Sequence, residues 1–362
     1  MPGLPEKQHD GFLNLVLKDA CVVRCAKVKR EEAEKARRKL AAALALDNSY
    51  IPARGRGYVH FPVKEGAKLP PGIRLVEKKL EKRNDRPKTL RDALSGKLNE
   101  REMGVLVTSF DLVGDIAVVE IPEGLRAKER VIADALMGAH RNVKVVAKKT
   151  GGTAGEFRIR PVEVIAGEKR TRTVYREGGC EFELDLNEAY FSPRLGTERG
   201  RLCALVKSRE SVIVPFAGVG PFAVRIGKTV PSARVVGIEL NPGAAEYFRR
   251  NVARNKCGNV EALEGDVARL LPGKYGGWAD RAVMPLPKDA RQFLANVIPC
   301  LKKGGLLHYY SFGSAEAPFA DAKKDVIGAA AKLGRKARIG FQRVVRPYSK
   351  DTEQVVVDAT ID

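Results

Sequence analysis

The sequence predicts an α/β protein: a mostly parallel sheet with an antiparallel C-terminal hairpin, preceded by two smaller α/β modules. Three observations predict it. From about Glu177 onward, short apolar runs alternate with amphipathic helical stretches, the signature of repeated β-α units in a parallel sheet. The last segment, ARIGFQRVVRPYSKDTEQVVVDATI, offers two strand-like runs around a polar turn with no helix between them. The 362 residues are too many for one ordinary domain, and the first half carries its own helix and strand signals.

In chain order, residues 1–84 read as a small module. Lys29–Leu46 is expected as a helix, with Ala and Leu on one side and charges on the other. Gly57–Val63 is expected as a strand, and the charged Glu77–Lys88 stretch as a solvated linker ending near a proline. Residues 85–176 read as a second module. Two strands flank Gly114–Asp115, a helix follows around Ala127–Ala139, and VKVVAKKT and EFRIRPVEVIAG are strand-like. In residues 177–362, ESVIVPF, ARVVGIEL, VEALEG, ADRAVMPL and GGLLHYYSF are expected as strands. PGAAEYFRRNVARNK and KDARQFLANVIPCLKK are expected as helices between them.

Composition narrows the function classes. The net charge is +21, distributed as +9 over residues 1–84, +5 over 85–176 and +7 over the rest, so it is not a tail. A large polyanion is the expected partner, because each phosphate neutralised releases a counterion. No run of 18 apolar residues exists and the N-terminus has no apolar signal-peptide centre, so a membrane span is not expected and a cytoplasmic protein is. The six cysteines form no CxxC pair. A zinc site at Cys21 and Cys25 would need two more ligands nearby, so free thiols and no metal are expected.

The strand Val212–Pro215 runs into Phe216-Ala217-Gly218-Val219-Gly220-Pro221-Phe222. Gly218 and Gly220 let the backbone approach a ligand at the carboxyl end of a strand, where open α/β sheets bind. Glu239 lies 21 residues beyond Gly218, at the end of the next strand, where a carboxylate meets the ribose hydroxyls of an adenosine. Asp266, after the third strand, reads either as an acceptor for an adenine amino group or as a helix N-cap. Two acids at successive strand ends favour a nucleoside ligand over a dinucleotide pyrophosphate. Pro221-Phe222, expected to block a smooth helix start, points the same way and against a nicotinamide dehydrogenase.

At this point the string Ala189-Tyr190-Phe191-Ser192-Pro193-Arg194-Leu195-Gly196-Thr197-Glu198-Arg199, followed by FAGVGPF, resembles the archaeal and eukaryotic tRNA (guanine-37-N1)-methyltransferases. The resemblance extends to GEFRIR, VIAGEKRT, IELNP, GDV, MPLP and HYYSF, and so over most of the chain. It implies a class I methyltransferase fold, with a Rossmann-like core, and S-adenosyl-L-methionine as cofactor. It further implies tRNA as partner through its anticodon loop and body, and a monomer. It gives Glu198 the role of general base on guanine N1, and Arg158 that of the cation that meets the base and stabilises charge moving to O6. Tyr190, Arg199, Phe216, Gly218, Gly220, Phe222, Glu239, Leu240, Asp266, Val267 and Pro285 are expected on the cofactor side. Arg158, Arg194 and Pro287 are expected on the substrate side. Three positions depart from the family pattern: Pro285-Leu286-Pro287 stands for Asn-Leu-Pro, Val214-Pro215 for Asp-Met, and Glu239 for Asp. Read without the resemblance, Glu198 is an ordinary helix-surface acid paired with Arg194 or Arg201. Pro285 keeps open a wyosine-pathway enzyme of the same fold, transferring an aminocarboxypropyl group or methylating a tricyclic guanine. The altered motifs also keep open a non-catalytic RNA-binding protein.

Overall fold

The computed structural model describes residues 20–82, 89–152, 157, 159–285 and 288–362. Two compact units emerge, Met1–Pro87 and Lys88–Asp362.

The first unit is a four-stranded antiparallel sheet with one helix on it. Its elements are β1 (Ala20–Lys29), α1 (Ala33–Ala42), β2 (Ala53–Gly55), β3 (Tyr58–Pro62) and β4 (Arg74–Glu81), in sheet order β2-β3-β1-β4. Ala36 and Leu40 of α1 pack on Ala26, Val28, Val59 and Phe61. The helix is shorter than expected: Lys29 ends β1, and Leu46 bridges to Val63. Glu77–Lys88 is also corrected. Its first five residues belong to β4, paired along β1 from Ala20↔Glu81 to Lys27↔Arg74, and residues 83–88 lie outside the described set. The charges misled because β4 is an edge strand, where Lys and Glu on the open face blunt unwanted pairing. Cys21 and Cys25 lie on strand β1 and so stand about 13 Å apart at the usual strand rise.

In the second unit, α2 (Leu90–Leu94), α3 (Glu100–Val105), β5 (Asp111–Val113), β6 (Ile116–Val119), α4 (Glu129–Ala139), β7 (Val145–Lys149) and β8 (Val162–Gly167) come first. Their sheet runs β5-β6-β7-β8. Leu94, Ile132 and Leu136 cover one face. On the other, Val113, Ile116, Val118, Val145 and Ala147 share a core with Leu184, Leu186, Val219, Ala244 and Tyr247. This shared core explains why the residues on both sides of 176/177 form one unit. A hairpin of β9 (Arg172–Glu177) and β10 (Cys180–Asp185) also crosses that boundary.

The remaining elements are α5 (Gly196–Leu205), β11 (Ser211–Pro215), α6 (Pro221–Thr229), β12 (Arg234–Glu239), α7 (Pro242–Arg254), β13 (Val260–Glu264), α8 (Val267–Lys274), β14 (Ala279–Met284), α9 (Leu294–Val297), β15 (Leu301–Ser314), α10 (Ala320–Lys332), β16 (Ala337–Pro347) and β17 (Thr352–Ile361). Their seven-stranded sheet runs β13-β12-β11-β14-β15-β17-β16. The first five strands are parallel, and β17 is antiparallel to both neighbours, as the terminal hairpin predicts. Helices α5, α6 and α7 cover one face, and α8, α9 and α10 the other. The helix expected over KDARQFLANVIPCLKK is instead three short pieces, because Pro299 interrupts it and Leu301 already begins β15. Pro221 does not obstruct a helix either. It is the first residue of α6, where a missing N–H costs nothing.

Candidate active site

Strand β11 lies where the order of the sheet reverses, with β12 on one side and β14 on the other. Ligands of open α/β sheets bind outside the carboxyl ends of strands at such a point. Gly220 sits at φ +85°, and a Cβ there would stand 2.1 Å from Phe248 Cδ2, so only glycine fits. Gly218 is also left-handed, at φ +57°, but its added Cβ would meet only the Tyr190 carbonyl oxygen, at 3.8 Å. Its backbone therefore faces open space that a ligand can approach. Phe216, at φ +58°, turns the chain and packs edge-on to Phe293 at 4.7 Å.

Glu239 closes the loop from the neighbouring strand. The Gly218 N–H donates to its Oε2 (2.7 Å), and the Asn241 N–H to its Oε1 (2.9 Å). Burial pushes its carboxyl above the ordinary glutamate range, against the pull of these backbone donors. A carboxylate has about four acceptor positions, so capacity remains for a ribose hydroxyl. Leu240 beside it is partly exposed. Asp266 is the N-cap of α8, its Oδ1 accepting the Ala268 N–H at 2.8 Å, and Val267 is buried behind it. Oδ2 is 3.8 Å from Arg269 Nε, on a side chain 88% exposed, and can accept from an adenine amino group. Pro285 is half-buried just past β14. An open glycine backbone and two acids at successive strand ends fit an adenosyl group. Gly218, Glu239, Leu240 and Asp266 would hold it.

Two expected cofactor residues are otherwise engaged. Arg199 is 1% exposed and forks onto both oxygens of Glu177, at 2.8 and 2.6 Å, while also reaching the Ser192 carbonyl. Burial alone would raise the Glu177 carboxyl, yet Arg199 and Arg225 hold it below its ordinary range. Phe222 is core, between Arg199 and the Tyr310 ring. Both side chains are packed against protein neighbours.

Glu198 stands in the first turn of α5 and is 2% exposed, so it is not a surface acid. It does pair with Arg201, whose Nε donates to Oε1 at 2.6 Å, and the Tyr310 hydroxyl donates to the same oxygen at 2.9 Å. Its Oε2 is buried with no hydrogen-bond partner, and Arg343 Nη1 stands 3.8 Å away. Arg201 also grips Asp358, with contacts of 2.6 and 3.3 Å. Asp358 Oδ1 is 2.6 Å from His308 Nδ1, and His308 Nε2 is 2.6 Å from Arg281 Nη1. A guanidinium only donates, so Nε2 accepts and Nδ1 carries the proton toward Asp358. Burial pushes His308 below the usual histidine range, which keeps it neutral. Arg281 in turn forks onto Glu210. Sequence reasoning found Glu198 but missed Tyr310, Asp358 and His308, which lie more than 100 residues away along the chain.

A cleft of about 430 Å³ opens in the second unit. It is lined by Tyr190, Ser192, Arg194, Arg160, Arg346 and Tyr348, among others. Tyr190 is 42% exposed. Arg194 is tied across to Asp111 at 2.6 Å. Glu198 does not line the cleft. Strand β16 links the two, since it carries Arg346 in the lining and Arg343 beside Glu198. Arg158 and Pro287 lie outside the described residues. Arg160, two positions on from Arg158, reaches the cleft. Among the described residues no cluster of His, Cys, Asp and Glu could hold a metal, and no helix is long and apolar enough to cross a membrane.

Comparison with known proteins adds identity to geometry. The TRM5/TYW2 methyltransferase domain matches residues 173–338, the TYW2 N-terminal domain residues 90–171, and the tRNA methyltransferase 5 N-terminal domain residues 25–69. The chain is 38% identical over 332 residues to the tRNA (guanine(37)-N(1))-methyltransferase Trm5b of Pyrococcus abyssi, covering 92% of this chain and 97% of that one. It is 31% identical to the tRNA 4-demethylwyosine(37)-methyltransferase Taw21 of Saccharolobus solfataricus, over 69% of this chain and 92% of that one. The solved complex of aTrm5 and tRNALeu superposes with a TM-score of 0.76 at 28% identity, covering 93% of this chain and 99% of that one.

Proposed function

The chain belongs to the archaeal and eukaryotic family of tRNA (guanine-37-N1)-methyltransferases, and from that premise we propose that it methylates N1 of guanosine 37 with Glu198 as general base. Its cofactor is S-adenosylmethionine, which when bound supplies an electrophilic methyl group on a sulfonium. No metal is required for such a transfer. The observation that carries the reading is the buried Glu198 carboxylate with one oxygen left without a partner. Guanine N1 bears a proton and is a poor nucleophile, so a carboxylate must take that proton as the new bond forms. A cation near O6 then offsets the charge that moves onto the base. Arg158 is proposed for this role. The target base must leave its stack to reach a buried acid, and the cleft beside Tyr190 is the proposed receiving site.

The RNA partner is tRNA, held through the anticodon loop at the second unit and the tRNA body at the first. Support for the latter is a hollow of about 400 Å³ in the first unit, lined by Lys27, Lys29, Lys35, Lys39, Arg74 and Tyr58, with Glu32 as the one acid in the lining. Such a surface binds phosphates without reading sequence. The enzyme is proposed to act as a monomer in the cytoplasm.

The deciding experiment is methyl transfer onto unmodified tRNA transcripts carrying guanosine or adenosine at position 37, read by mass spectrometry. The expected product is 1-methylguanosine from the guanosine transcript alone. Pro285, which has no side-chain donor where the family has Asn, favours one other reading, a wyosine-pathway activity. A mass gain matching aminocarboxypropyl, or methylation only of tRNA carrying a tricyclic guanine, would replace the first reading. Absence of S-adenosylmethionine binding by calorimetry would leave an RNA-binding protein without catalysis.

A further inference from the structure

The two oxygens of Glu198 are in different circumstances. Oε1 is doubly engaged, by Tyr310 and Arg201. Oε2 is shielded from solvent with no hydrogen bond, although nearly all buried acceptors in proteins have one. Arg343 Nη1 stands 3.8 Å from it, beyond hydrogen-bond reach, on a side chain 43% exposed. We propose that Tyr310 and Arg201 are positioning residues for methyl transfer, pinning Oε1 so that Oε2 is the atom that receives the N1 proton. This rests on Glu198 being the base.

The supporting frame is rigid. Tyr310 is fully buried in the central strand β15, and burial, then the Glu198 charge, pushes its hydroxyl well above the usual tyrosine range, so it donates and does not ionise. Arg201 is held in place by Asp358, which meets His308, and His308 is in turn held by Arg281. With Oε1 fixed at two points, the carboxylate cannot rotate to offer either oxygen at random. The N1–H proton passes to Oε2. The electron pair it leaves forms the N1–carbon bond, and the sulfur–carbon pair departs with sulfur. The resulting carboxylic acid returns its proton to solvent after product release. Neither Tyr310 nor Arg201 need touch the guanine.

The test is single-turnover methyl transfer to a guanosine-37 transcript by Tyr310→Phe, in the wild-type and Glu198→Gln backgrounds. In the wild type, the rate at saturation falls roughly ten- to a hundredfold, the scale of a small misplacement of a reacting group. The KM values for tRNA and cofactor are unchanged. In the Glu198→Gln background the same substitution causes no further loss, because Tyr310 acts only through that carboxylate. An unchanged rate, or an equal fold-loss in both backgrounds, overturns the proposal. Should Tyr310→Phe fail to fold, Arg201→Lys decides. It keeps the charge but cannot fork between Glu198 and Asp358, so the rate falls with KM unchanged, and an unaltered rate overturns the proposal. Full activity in Glu198→Gln itself would remove the base reading beneath it.

Discussion

Two basic regions of this molecule use the same residue types in opposite ways. Around Glu198 three arginines are largely buried and paired: Arg201 with Glu198 and Asp358, Arg281 with Glu210, Arg199 with Glu177. In the first unit, Lys27, Lys35, Lys39 and Arg74 rim an open hollow with one acid among them, and Lys27 lies 4.2 Å over the Tyr58 ring. A buried guanidinium without a partner is strongly destabilising, so the first set can only orient other groups. An exposed ammonium retains most of its water and can exchange it for phosphate. Net charge alone does not separate the two regions; partnering does.

The largest effect is expected where the difference is sharpest. Glu198→Gln should reduce methyl transfer by roughly 10²–10⁴-fold, the usual weight of a general base, with cofactor and tRNA affinity retained. Single-turnover kinetics beside binding titrations measure this, and a rate near wild type would mean that the buried carboxylate only holds Arg201. Next comes Glu177→Gln, which leaves Arg199 and Arg225 buried without their anion. A loss of about 3–5 kcal/mol in unfolding free energy is expected. A change below about 1 kcal/mol in chemical denaturation would show that these arginines find water or other acceptors.

Acid should separate the regions more gently. Glu177 and Asp358 have folded carboxyl groups below their ordinary range: burial opposes this, and Arg199 and Arg225 for one, His308 and Arg201 for the other, outweigh it. Their contribution is present above the ordinary carboxylate range and is lost as pH falls toward the lowered folded values. His308 is also lowered, by burial, so the unfolded chain takes up its proton first as pH drops below about 6.5, and stability declines further. Thermal melting of the second unit should therefore fall progressively from near pH 6.5 downward. A flat melting temperature between pH 7 and 4 would contradict the ionic account of the cluster.

Much of the fold was legible because buried parallel strands read as apolar runs: Val212–Pro215 and Arg234–Glu239 lie where their patterns put them, and so does the edge strand Val260–Glu264. The open Gly218 backbone and Glu239 followed from spacing along the chain. What was hidden is non-local or sits at an edge. β4 reads as charge because one of its faces meets water. The hairpin β9–β10 reads as nothing distinctive, since its partners include Asn251 and Asn255, about 70 residues away. Glu198 and Arg201 are three apart on one helix, which suggests a surface pair. Only Tyr310, 112 residues on, and Asp358, 157 residues beyond Arg201, reveal a buried cluster. No local period encodes such partners.

The smallest effect is expected at the open hollow, and it completes the contrast. Replacing both Lys35 and Lys39 by Glu removes two cations from a rim whose single acid is Glu32. Each lost phosphate contact should lower the slope of log affinity against log salt by about one unit, and tRNA should bind roughly tenfold more weakly near physiological salt. Single-turnover rate at saturating tRNA should be unchanged, because nothing in the buried cluster depends on these lysines. Filter binding across a salt series, beside that rate, measures both. If affinity and salt slope match wild type, the hollow is merely solvated surface. If the rate falls instead, these lysines contribute to catalysis as well, and the division between orienting and binding cations fails.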